Sequence, residues 1–502
     1  MKDKIIFWLG AEFTHFCVAY ELQKQYNCEL YAVVDVTDKP KKFFQEQKLV
    51  KFQKIWYFND HINSNKTPDL QYLAAFEKKY NIDIWKLAIN ERIFYKFYNF
   101  HKFTTEEILS IVEQECRLFE QIMEEVKPDF FITKEASRHH HQLFCNLCNS
   151  LGVKTLMMSQ AKIGYKCMLT QESHKLPISK KLESIKTPDC SFEDIRKYLK
   201  SFDTSKQLKS YLERDGKSKS ELLKAALEYL TNGNSHAKTQ YYYYGRTKFR
   251  VLLYKIIIEL KARYRKLFID KHLKTNIDAQ SPYVYFPLAV DMERNLLITA
   301  PYYTNQTEII RHIVKSLPIG YKLFVKENPN AFSRAWRPIS VYKEILDIPN
   351  VNFIHPSIPA EQIYKNSSLV ISVAGSSAFE AASYGKPSIV FSDQIYNILP
   401  SVHRIKEIEE LPCMIRSAMQ KEVNPSDLAK YLKLLEENTF DFDMLGFSAT
   451  FKENFYRDGN LFDVEISEQR LQDFLIEQKS TLDKFALEYI KKIKWYKANE
   501  PK

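Results

Sequence analysis

Residues 369–391, LVISVAGSSAFEAASYGKPSIVF, predict a strand, a helix and a second strand in succession. The apolar runs 369–373 and 388–391 have the length of buried strands, and residues 377–384 between them have the length and composition of a helix. Two strands joined through a helix pair in parallel, because the crossover returns the chain to the same end of the sheet. This stretch therefore predicts a parallel α/β sheet.

Strands and helices also alternate on the amino-terminal side of this stretch, back to residue 283. Short loops connect the predicted elements, which are strands at 283–287, 322–326 and 351–354 and helices at 305–316, 340–346 and 360–365. Such regular succession is typical of a doubly wound domain, in which ligands bind beyond the carboxyl ends of the strands. Residues directly after these strands are the first candidates for a binding site.

The first third of the chain also alternates between strands and helices. Thr104 and Glu107 have the spacing of a capping box and open a predicted helix that ends before Pro128. Other predicted elements are a helix at 13–25 and strands at 5–9, 30–36, 52–58, 130–133 and 153–158. We expect an N-terminal Rossmann-like acceptor domain at 1–172, a helical insert at 173–280, a second Rossmann-like domain at 281–420, and C-terminal helices at 421–502 that pack back on the domains.

Composition excludes several classes of protein. Of 502 residues, 45% are hydrophobic and 27% charged, which disfavours disordered and fibrous chains, and eight cysteines are too dilute for a disulfide scaffold. Only 11 glycines are present, so a glycine-rich phosphate loop is disfavoured.

The apolar run 5–9 is too short for a signal peptide, and no run has the length of a membrane span. We expect a cytoplasmic protein with reduced thiols.

Positive charge is concentrated in residues 246–274. Ten basic and two acidic residues lie there, within a chain of net charge +11. The remainder is nearly neutral, which argues against a nucleic-acid partner and for one local anion-seeking patch. An apolar stripe accompanies the charge, formed by Leu253, Ile256, Ile257, Leu260, Tyr264 and Leu267. Two interpretations stay open: a helix on the anionic inner face of a membrane, or a packed helix with a solvated basic face.

The run Tyr241-Tyr242-Tyr243-Tyr244 directly precedes this basic segment. Tyrosine rings with a polar tip are enriched at membrane interfaces, and they also stack on bases and sugars beside arginine. We therefore predict that the tyrosine run is interfacial.

Two motifs follow predicted strands of the second domain. In Lys326-Glu327-Asn328-Pro329 a lysine and an amide side chain can meet a phosphate or a ribose. In the second motif Gly375 allows a tight turn after a strand, and Ser376 and Ser377 offer hydroxyls and amides at a helix start.

Glu380, one turn into that helix, can hold a ribose diol or a sugar hydroxyl. Gly385-Lys386-Pro387 leads into the next buried strand and places the whole unit at the ligand edge of the sheet. The alternative is a well-capped helix with Glu380 facing solvent.

These two motifs resemble those of the capsule polysaccharide biosynthesis proteins, bacterial glycosyltransferases of the GT-B fold that include the capsule Kdo transferases. Residues 283–403 are similar to the carboxyl half of that family, in which Lys-x-His-Pro follows one strand and a Glu-Ala element ending in Gly-Lys-Pro follows another. The resemblance implies a GT-B-like fold whose carboxyl half binds a nucleotide-sugar as co-substrate, without a metal or other cofactor. Asn328 replaces the family's histidine, and Ser159-Gln160-Ala161 lies near where Kdo-transferring members carry Glu-Asp-Gly.

Candidates for an acid or base that contacts an acceptor follow other strands. They are Glu12, His15, Glu135, Asp291 and Glu293, each of which can also be a cap or a surface residue. His141, Cys145 and Cys148 share one helix face and supply three possible zinc ligands, but no second ligand pair has a recognisable spacing. Buried cysteines that pack as small hydrophobic residues are the favoured interpretation, and we expect no metal.

We therefore predict a glycosyltransferase that moves a sugar from a nucleotide donor to a capsular polysaccharide or its lipid-linked precursor. A nucleotide-sugar epimerase or polyol-phosphate transferase of the same fold is the first alternative. A non-catalytic polysaccharide assembly factor is the second.

Overall fold

The computed structural model describes residues 2–63, 66–176, 182–186, 189–202, 218–277 and 280–499. The chain forms two compact units. The first comprises Met1–Ser173, Phe202–Lys248 and Thr439–Lys502, and the second comprises His174–Ser201 and Phe249–Asn438. Each contains one largely parallel sheet with helices around it, so the predicted α/β class with two Rossmann-like, doubly wound domains is confirmed.

The first unit contains a seven-stranded sheet of order β13-β6-β5-β4-β1-β2-β3. Strands β1 to β5 are parallel, whereas β6 and β13 run antiparallel to their neighbours at one edge. In chain order the strands are β1 (Asp3–Gly10), β2 (Cys28–Asp35), β3 (Phe52–Tyr57), β4 (Phe130–Lys134), β5 (Lys154–Gln160), β6 (Lys166–Thr170) and β13 (Phe440–Asp441). The sequence predicted β1 to β5 and missed the two antiparallel edge strands.

The central strand β1 shows why this sheet is buried on both faces. Ile5, Phe7 and Leu9 contribute to the core on one face, and Ile6 and Trp8 contribute to the core on the other. A parallel sheet covered by helices on both sides requires such a continuous apolar run.

Helices of both ends of the chain cover this sheet. The capping box is confirmed: the Glu107 amide donates to Thr104 Oγ1 (3.2 Å), and the Thr104 amide donates to the Glu107 carboxylate (2.8 Å). The helices are α1 (Thr14–Gln25), α2 (Asp38–Glu46), α3 (Leu70–Tyr80), α4 (Ile84–Ala88), α5 (Thr105–Val126), α6 (His139–Ser150), α8 (Lys219–Thr231), α9 (His236–Thr239), α18 (Met444–Phe455), α19 (Glu468–Glu477) and α20 (Lys479–Ala498). Side chains of α18 to α20 share one core with β1.

The second unit has a six-stranded, fully parallel sheet of order β12-β11-β10-β7-β8-β9. Its strands are β7 (Tyr283–Pro287), β8 (Lys322–Lys326), β9 (Val351–Ile354), β10 (Leu369–Ser372), β11 (Ser388–Val390) and β12 (Val402–Arg404). Five of these were predicted within one residue, and β12 was missed. Strand order reverses between β7 and β10, so ligands are expected at the carboxyl ends of these two strands.

The helices of the second unit are α7 (Phe192–Ser201), α10 (Lys248–His272), α11 (Arg294–Leu297), α12 (Gln306–Ser316), α13 (Ile339–Leu346), α14 (Ala360–Asn366), α15 (Ser377–Ala382), α16 (Leu411–Met419) and α17 (Pro425–Asn438). Only the first residue of α10 belongs to the other unit. Chain contacts assign Ser173 and 202–248 of the predicted insert 173–280 to the first unit, and 174–201 and 249–280 to the second. Four parts of that insert lie outside the described residues: 177–181, 187–188, 203–217 and 278–279.

Candidate functional site

The two predicted donor motifs lie at the same edge of the second unit's sheet. Lys326 is the last residue of β8, and Glu380 lies in α15, which follows β10. The two side chains are close enough for the Glu380 carboxylate to act on the pKa of the Lys326 ammonium. The strand order thus brings together residues that are 54 positions apart in the sequence, beside the point where that order reverses.

Lys326 is a mostly buried lysine at the end of β8. Its side chain belongs to a residue that is only 6% exposed, and burial lowers its pKa, against the opposing effect of Glu380 and Glu327. Within the described ranges its ammonium group makes no hydrogen bond or ion pair. A mostly desolvated ammonium with no bonded partner is a good binding group for an anion.

Glu380 is oriented by two hydroxyl groups. Ser376 Oγ donates to Oε1 of Glu380 (2.6 Å), and the Tyr364 hydroxyl donates to Oε2 (3.1 Å). Tyr364 also interacts with the Ser377 hydroxyl. Ser376 makes no side-chain cap to α15, so its hydroxyl orients Glu380 instead of capping the helix. Each carboxylate oxygen can accept a second hydrogen bond, which leaves capacity for a sugar hydroxyl.

Gly375 does not have the conformational role that the sequence predicted. Its φ is not positive, and a Cβ built there would meet only Ser372 Oγ at 3.8 Å, an ordinary contact. Gly385 is the glycine that the loop requires, with φ +70° and the Phe192 ring 3.3 Å from a built Cβ. The backbone carbonyl of Gly375 accepts a hydrogen bond from Tyr396.

The Gly385-Lys386-Pro387 segment lies at the opposite edge of the sheet from Lys326 and Glu380. It precedes β11, and its three residues line an open cavity of about 540 Å³ together with Ser367 and Ser368, which precede β10. The prediction that this segment belongs to the ligand edge is wrong, because it leads into a strand instead of following one. Lys386 therefore does not belong to the donor site.

Glu327 and Asp291 are held by one buried arginine. Arg337 Nε donates to Glu327 Oε2 (2.9 Å), and Arg337 Nη1 contacts Asp291 Oδ1 (2.5 Å). Burial alone would lower the pKa of Arg337, but the two carboxylates raise it. Glu327 also accepts from the Tyr342 hydroxyl (2.8 Å) and the Asn328 amide (2.7 Å). This ion-pair network joins the loops after β7 and β8 beneath Lys326.

Asn328 and Glu293 are positioned by their local turns. Asn328 Oδ1 accepts from the Asn330 amide (2.9 Å) and caps a 3₁₀ turn at Pro329–Arg334. Asn328 is therefore a turn-forming side chain. Glu293 is exposed, and its backbone carbonyl accepts from the first turn of α11.

The predicted candidates in the first unit differ in environment. Glu12 follows β1 and pairs with Lys134 at the end of β4 (2.7 Å), at the point where that sheet's strand order reverses. Lys134 lowers the pKa of Glu12. His15 is buried, its pKa is lowered to about 3 by desolvation, and its Nε2 accepts from the Tyr489 hydroxyl (3.2 Å). His15 is therefore neutral and a weak base, whereas Glu12 is 43% exposed and ionised. Glu135 is half-buried after β4.

Sequence reasoning missed a buried polar network at the start of α6. His139 Nδ1 donates to Glu91 (3.0 Å), and its Nε2 contacts Glu115 (3.0 Å). Burial alone would lower the pKa of His139, but the two carboxylates outweigh it and raise the pKa to about 9. His139 is thus a cation at neutral pH, bonded to a carboxylate on each side. The His triplet was visible in the sequence, but its acidic partners come from distant elements.

Tyr241 and Tyr242 complete this network, so the prediction that the tyrosine run is interfacial is wrong for these two residues. Tyr241 and Tyr242 are 1% and 5% exposed. The Tyr241 hydroxyl donates to Glu115 (2.9 Å), and the Tyr242 hydroxyl donates to Nδ1 of His140 (2.8 Å), whose Nε2 donates to Asp35 (3.1 Å). Buried tyrosines require such partners, which explains why the hydroxyls point inward.

The predicted zinc ligands do not converge. His141 stacks on Trp8 and bonds Thr133 Oγ1 (2.6 Å), while Cys145 and Cys148 pack in the apolar core, as the favoured interpretation expected. Glu115, His139 and His140 do place ligand-type atoms within 4.8 Å of one another. In this arrangement His139 bonds Glu91 and Glu115, and His140 bonds Tyr242 and Asp35, so both imidazoles would have to exchange hydrogen bonds to bind a metal ion.

No protein-family model matches the chain, and no curated protein matches it. Among solved structures, UDP-GlcNAc 2-epimerase from Methanocaldococcus jannaschii aligns with 86% of this chain and 99% of its own, at 12% identity and a TM-score of 0.25. The Thermosulfurimonas dismutans KpsC β-Kdo 2,7-transferase aligns with 63% of this chain and 79% of its own, at 12% identity and a TM-score of 0.28.

The N-terminal domain of Candida albicans trehalose-6-phosphate phosphatase aligns with 90% of this chain and 96% of its own, at 9% identity and a TM-score of 0.29. At these TM-scores the likeness assigns neither a family nor an activity to the chain.

Proposed function

We propose that the chain is a nucleotide-sugar-dependent glycosyltransferase whose donor site lies at the carboxyl edge of the second unit's sheet. The observation that carries the proposal is Lys326, a mostly buried lysine whose ammonium is close enough to Glu380 to interact with it and has no bonded partner in the described part of the chain. The sequence resemblance to capsule polysaccharide biosynthesis proteins supports a nucleotide-sugar as the anion and a surface polysaccharide or its lipid-linked precursor as the acceptor.

In this proposal Lys326 binds the donor's phosphate and stabilises the negative charge that develops as the nucleotide leaves. The interaction strengthens during the reaction, because charge accumulates on the leaving phosphate. Glu380, held by Ser376 and Tyr364, accepts hydrogen bonds from the ribose diol or a sugar hydroxyl. The Glu327–Arg337 pair holds the end of β8 and thereby positions Lys326.

Glu12 is the candidate base that we favour for the acceptor hydroxyl. It is partly exposed, and Lys134 keeps it ionised. His15 fits less well because it is buried and neutral, and Asp291 fits less well because it is 25% exposed, against 43% for Glu12, and is held by a buried arginine. A carboxylate that accepts the acceptor's proton needs both access and negative charge.

The first experiment is thermal unfolding of the full chain with CMP, UDP, GDP and CDP. A ligand that binds only the folded protein raises the unfolding temperature by mass action. We expect one nucleotide to raise it. If none of the four changes the unfolding temperature of the folded protein, the donor site is wrong and the assembly-factor alternative is favoured.

Product analysis then separates the enzymatic alternatives. The chain is incubated with the sugar conjugate of the stabilising nucleotide, with and without an oligosaccharide or lipid-linked acceptor, and the products are analysed by mass spectrometry and NMR. A transferase releases free nucleotide only when it elongates the acceptor. An epimerase yields an isomer of the same mass without releasing nucleotide, and a polyol-phosphate transferase adds a phosphate-containing unit. Either of these last two results would overturn the glycosyltransferase proposal.

A further inference from the structure

Helix α10, Lys248–His272, presents a long apolar face that the described part of the chain leaves exposed. Its 25 residues give it a length of about 38 Å at 1.5 Å per residue. Val251 and Ile269 are buried on the packed side. Seven large apolar side chains are 38–74% exposed: Phe249, Leu253, Ile256, Ile257, Leu260, Tyr264 and Leu267.

These exposed side chains form one continuous stripe. At about 100° of rotation per residue, all seven fall within a sector of about 100°, opposite Val251 and Ile269. The six stripe residues predicted from the sequence are all exposed, so the interpretation of α10 as a helix whose apolar stripe packs within the chain is wrong. We call these seven residues the exposed stripe.

Basic side chains border the exposed stripe on both sides. On the helical projection Arg250 and Lys261 lie along one border and Arg263 lies along the other, whereas Lys255 and Lys266 lie about 80–100° beyond that second border, toward the packed side. All five are exposed. The two acidic residues of the helix are engaged in ion pairs, Glu259 with Arg263 and Asp270 with both Lys266 and His355.

We propose that α10 lies flat on an anionic lipid bilayer, with the exposed stripe inserted at the boundary of headgroups and acyl chains. Exposed lysine and arginine side chains along both borders would then meet lipid phosphates, the arrangement by which amphipathic helices bind membrane surfaces. No helix in the described ranges has the length and hydropathy to cross a bilayer. This proposal is independent of the donor site.

Charge and shape favour a bilayer over other occupants. A second copy docked through the same helix would bring two strongly basic borders together, which costs electrostatic energy. A nucleic acid would pair with the basic residues but leave the seven apolar side chains in water. An anionic bilayer covers the apolar side chains and neutralises the basic ones together.

The test is co-sedimentation of the full chain with vesicles of phosphatidylcholine alone or mixed with phosphatidylglycerol. The altered protein carries Ile256→Gln, Leu260→Gln and Leu267→Gln. The matched control carries Leu223→Gln and Leu227→Gln, two leucines of α8 that are 63% and 55% exposed. Exposed positions tolerate such changes with little loss of stability, and circular dichroism checks that both proteins fold.

We expect the unaltered chain and the α8 control to bind the mixed vesicles, and binding to weaken with salt. The stripe variant should lose at least about tenfold in affinity, because three apolar anchors are removed. Equal binding by the stripe variant, or no binding by the unaltered chain, would overturn the proposal. A salt-resistant dimer of the unaltered chain that the stripe variant abolishes would also overturn it and identify a second copy as the occupant.

Discussion

The two units have the same order for their first five strands but differ in the electrostatics of their carboxyl edges. In both sheets the order reverses between the first strand and the fourth. In the first unit the charges there are paired: Lys134 with Glu12, and His139 with Glu91 and Glu115. In the second unit Lys326 is buried and unpaired within the described residues. Shared topology therefore defines where a ligand can bind, whereas a mostly buried lysine without a bonded partner indicates which edge can bind an anion.

The largest effect is expected from His139→Ala in the first unit. The change leaves Glu91 and Glu115 as buried carboxylates without their cation, and removing one partner of a buried ion pair costs about 3–5 kcal/mol. Denaturant unfolding followed by circular dichroism should show this loss. Lys326→Met is the comparison, because Met keeps the apolar part of this mostly buried side chain and no ion pair of the described residues is broken, so the free energy of unfolding should not fall. Equal destabilisation by the two changes would contradict the contrast between the units.

The pH dependence of stability should be dominated by His139 in the alkaline range. Its folded pKa of about 9 exceeds the unfolded value of 6.5, so its contribution is complete below pH 6.5 and is lost as pH rises through about 9. The size of the pKa shift corresponds to about 3 kcal/mol. Urea unfolding at a series of pH values measures it. His139→Gln should flatten this part of the profile, and an unchanged slope would show that His139 is not the responsible group.

A smaller effect on binding is expected from Glu380→Gln in the second unit. An amide keeps the shape of the side chain but loses the negative charge that favours a sugar hydroxyl as donor. We expect about tenfold weaker nucleotide-sugar binding by calorimetry, equivalent to about 1.4 kcal/mol. Ser376→Ala is the control for orientation and should cost less, because Tyr364 still holds the carboxylate. Unchanged affinity in Glu380→Gln would remove Glu380 from the site.

The smallest effects concern two glycines of the same loop region. Gly385→Ala should destabilise the fold by about 1–2 kcal/mol, because φ is +70° and the Phe192 ring is close. Gly375→Ala should be neutral within about 0.5 kcal/mol, since nothing there requires a missing Cβ. Thermal unfolding of the two variants compares them directly. A larger loss for Gly375→Ala would restore the tight-turn role that the sequence suggested.

Much of the fold could be predicted because apolar periodicity is a local signal. The five strands at 283–390 and the Thr104 capping box follow from short stretches of sequence. Strand β12, three residues long, and the antiparallel edge strands have too little periodicity to detect. The placement of Lys326 and Glu380 at one edge followed from the rule for parallel sheets.

What the sequence could not predict depends on contacts between distant residues. Tyr241 is buried because Glu115, 126 positions away, accepts its hydroxyl. The absence of a bonded partner for Lys326 is likewise a property of the folded site, as is the pairing of Glu327 with Arg337. The local sequence predicts neither which polar side chains are buried nor which distant residues form hydrogen bonds with them.

The most direct test of the donor site compares two lysines of β8. Lys326→Ala removes the buried cation at the carboxyl end of the strand, and Lys322→Ala removes an exposed lysine at its amino end. Calorimetric titration with the nucleotide that stabilises the unaltered chain measures both. The account predicts about 100-fold weaker binding for Lys326→Ala, the size of a lost charge-assisted contact to phosphate, and unchanged affinity for Lys322→Ala. Equal affinity in the two variants would contradict the assignment of Lys326 as the phosphate-binding residue.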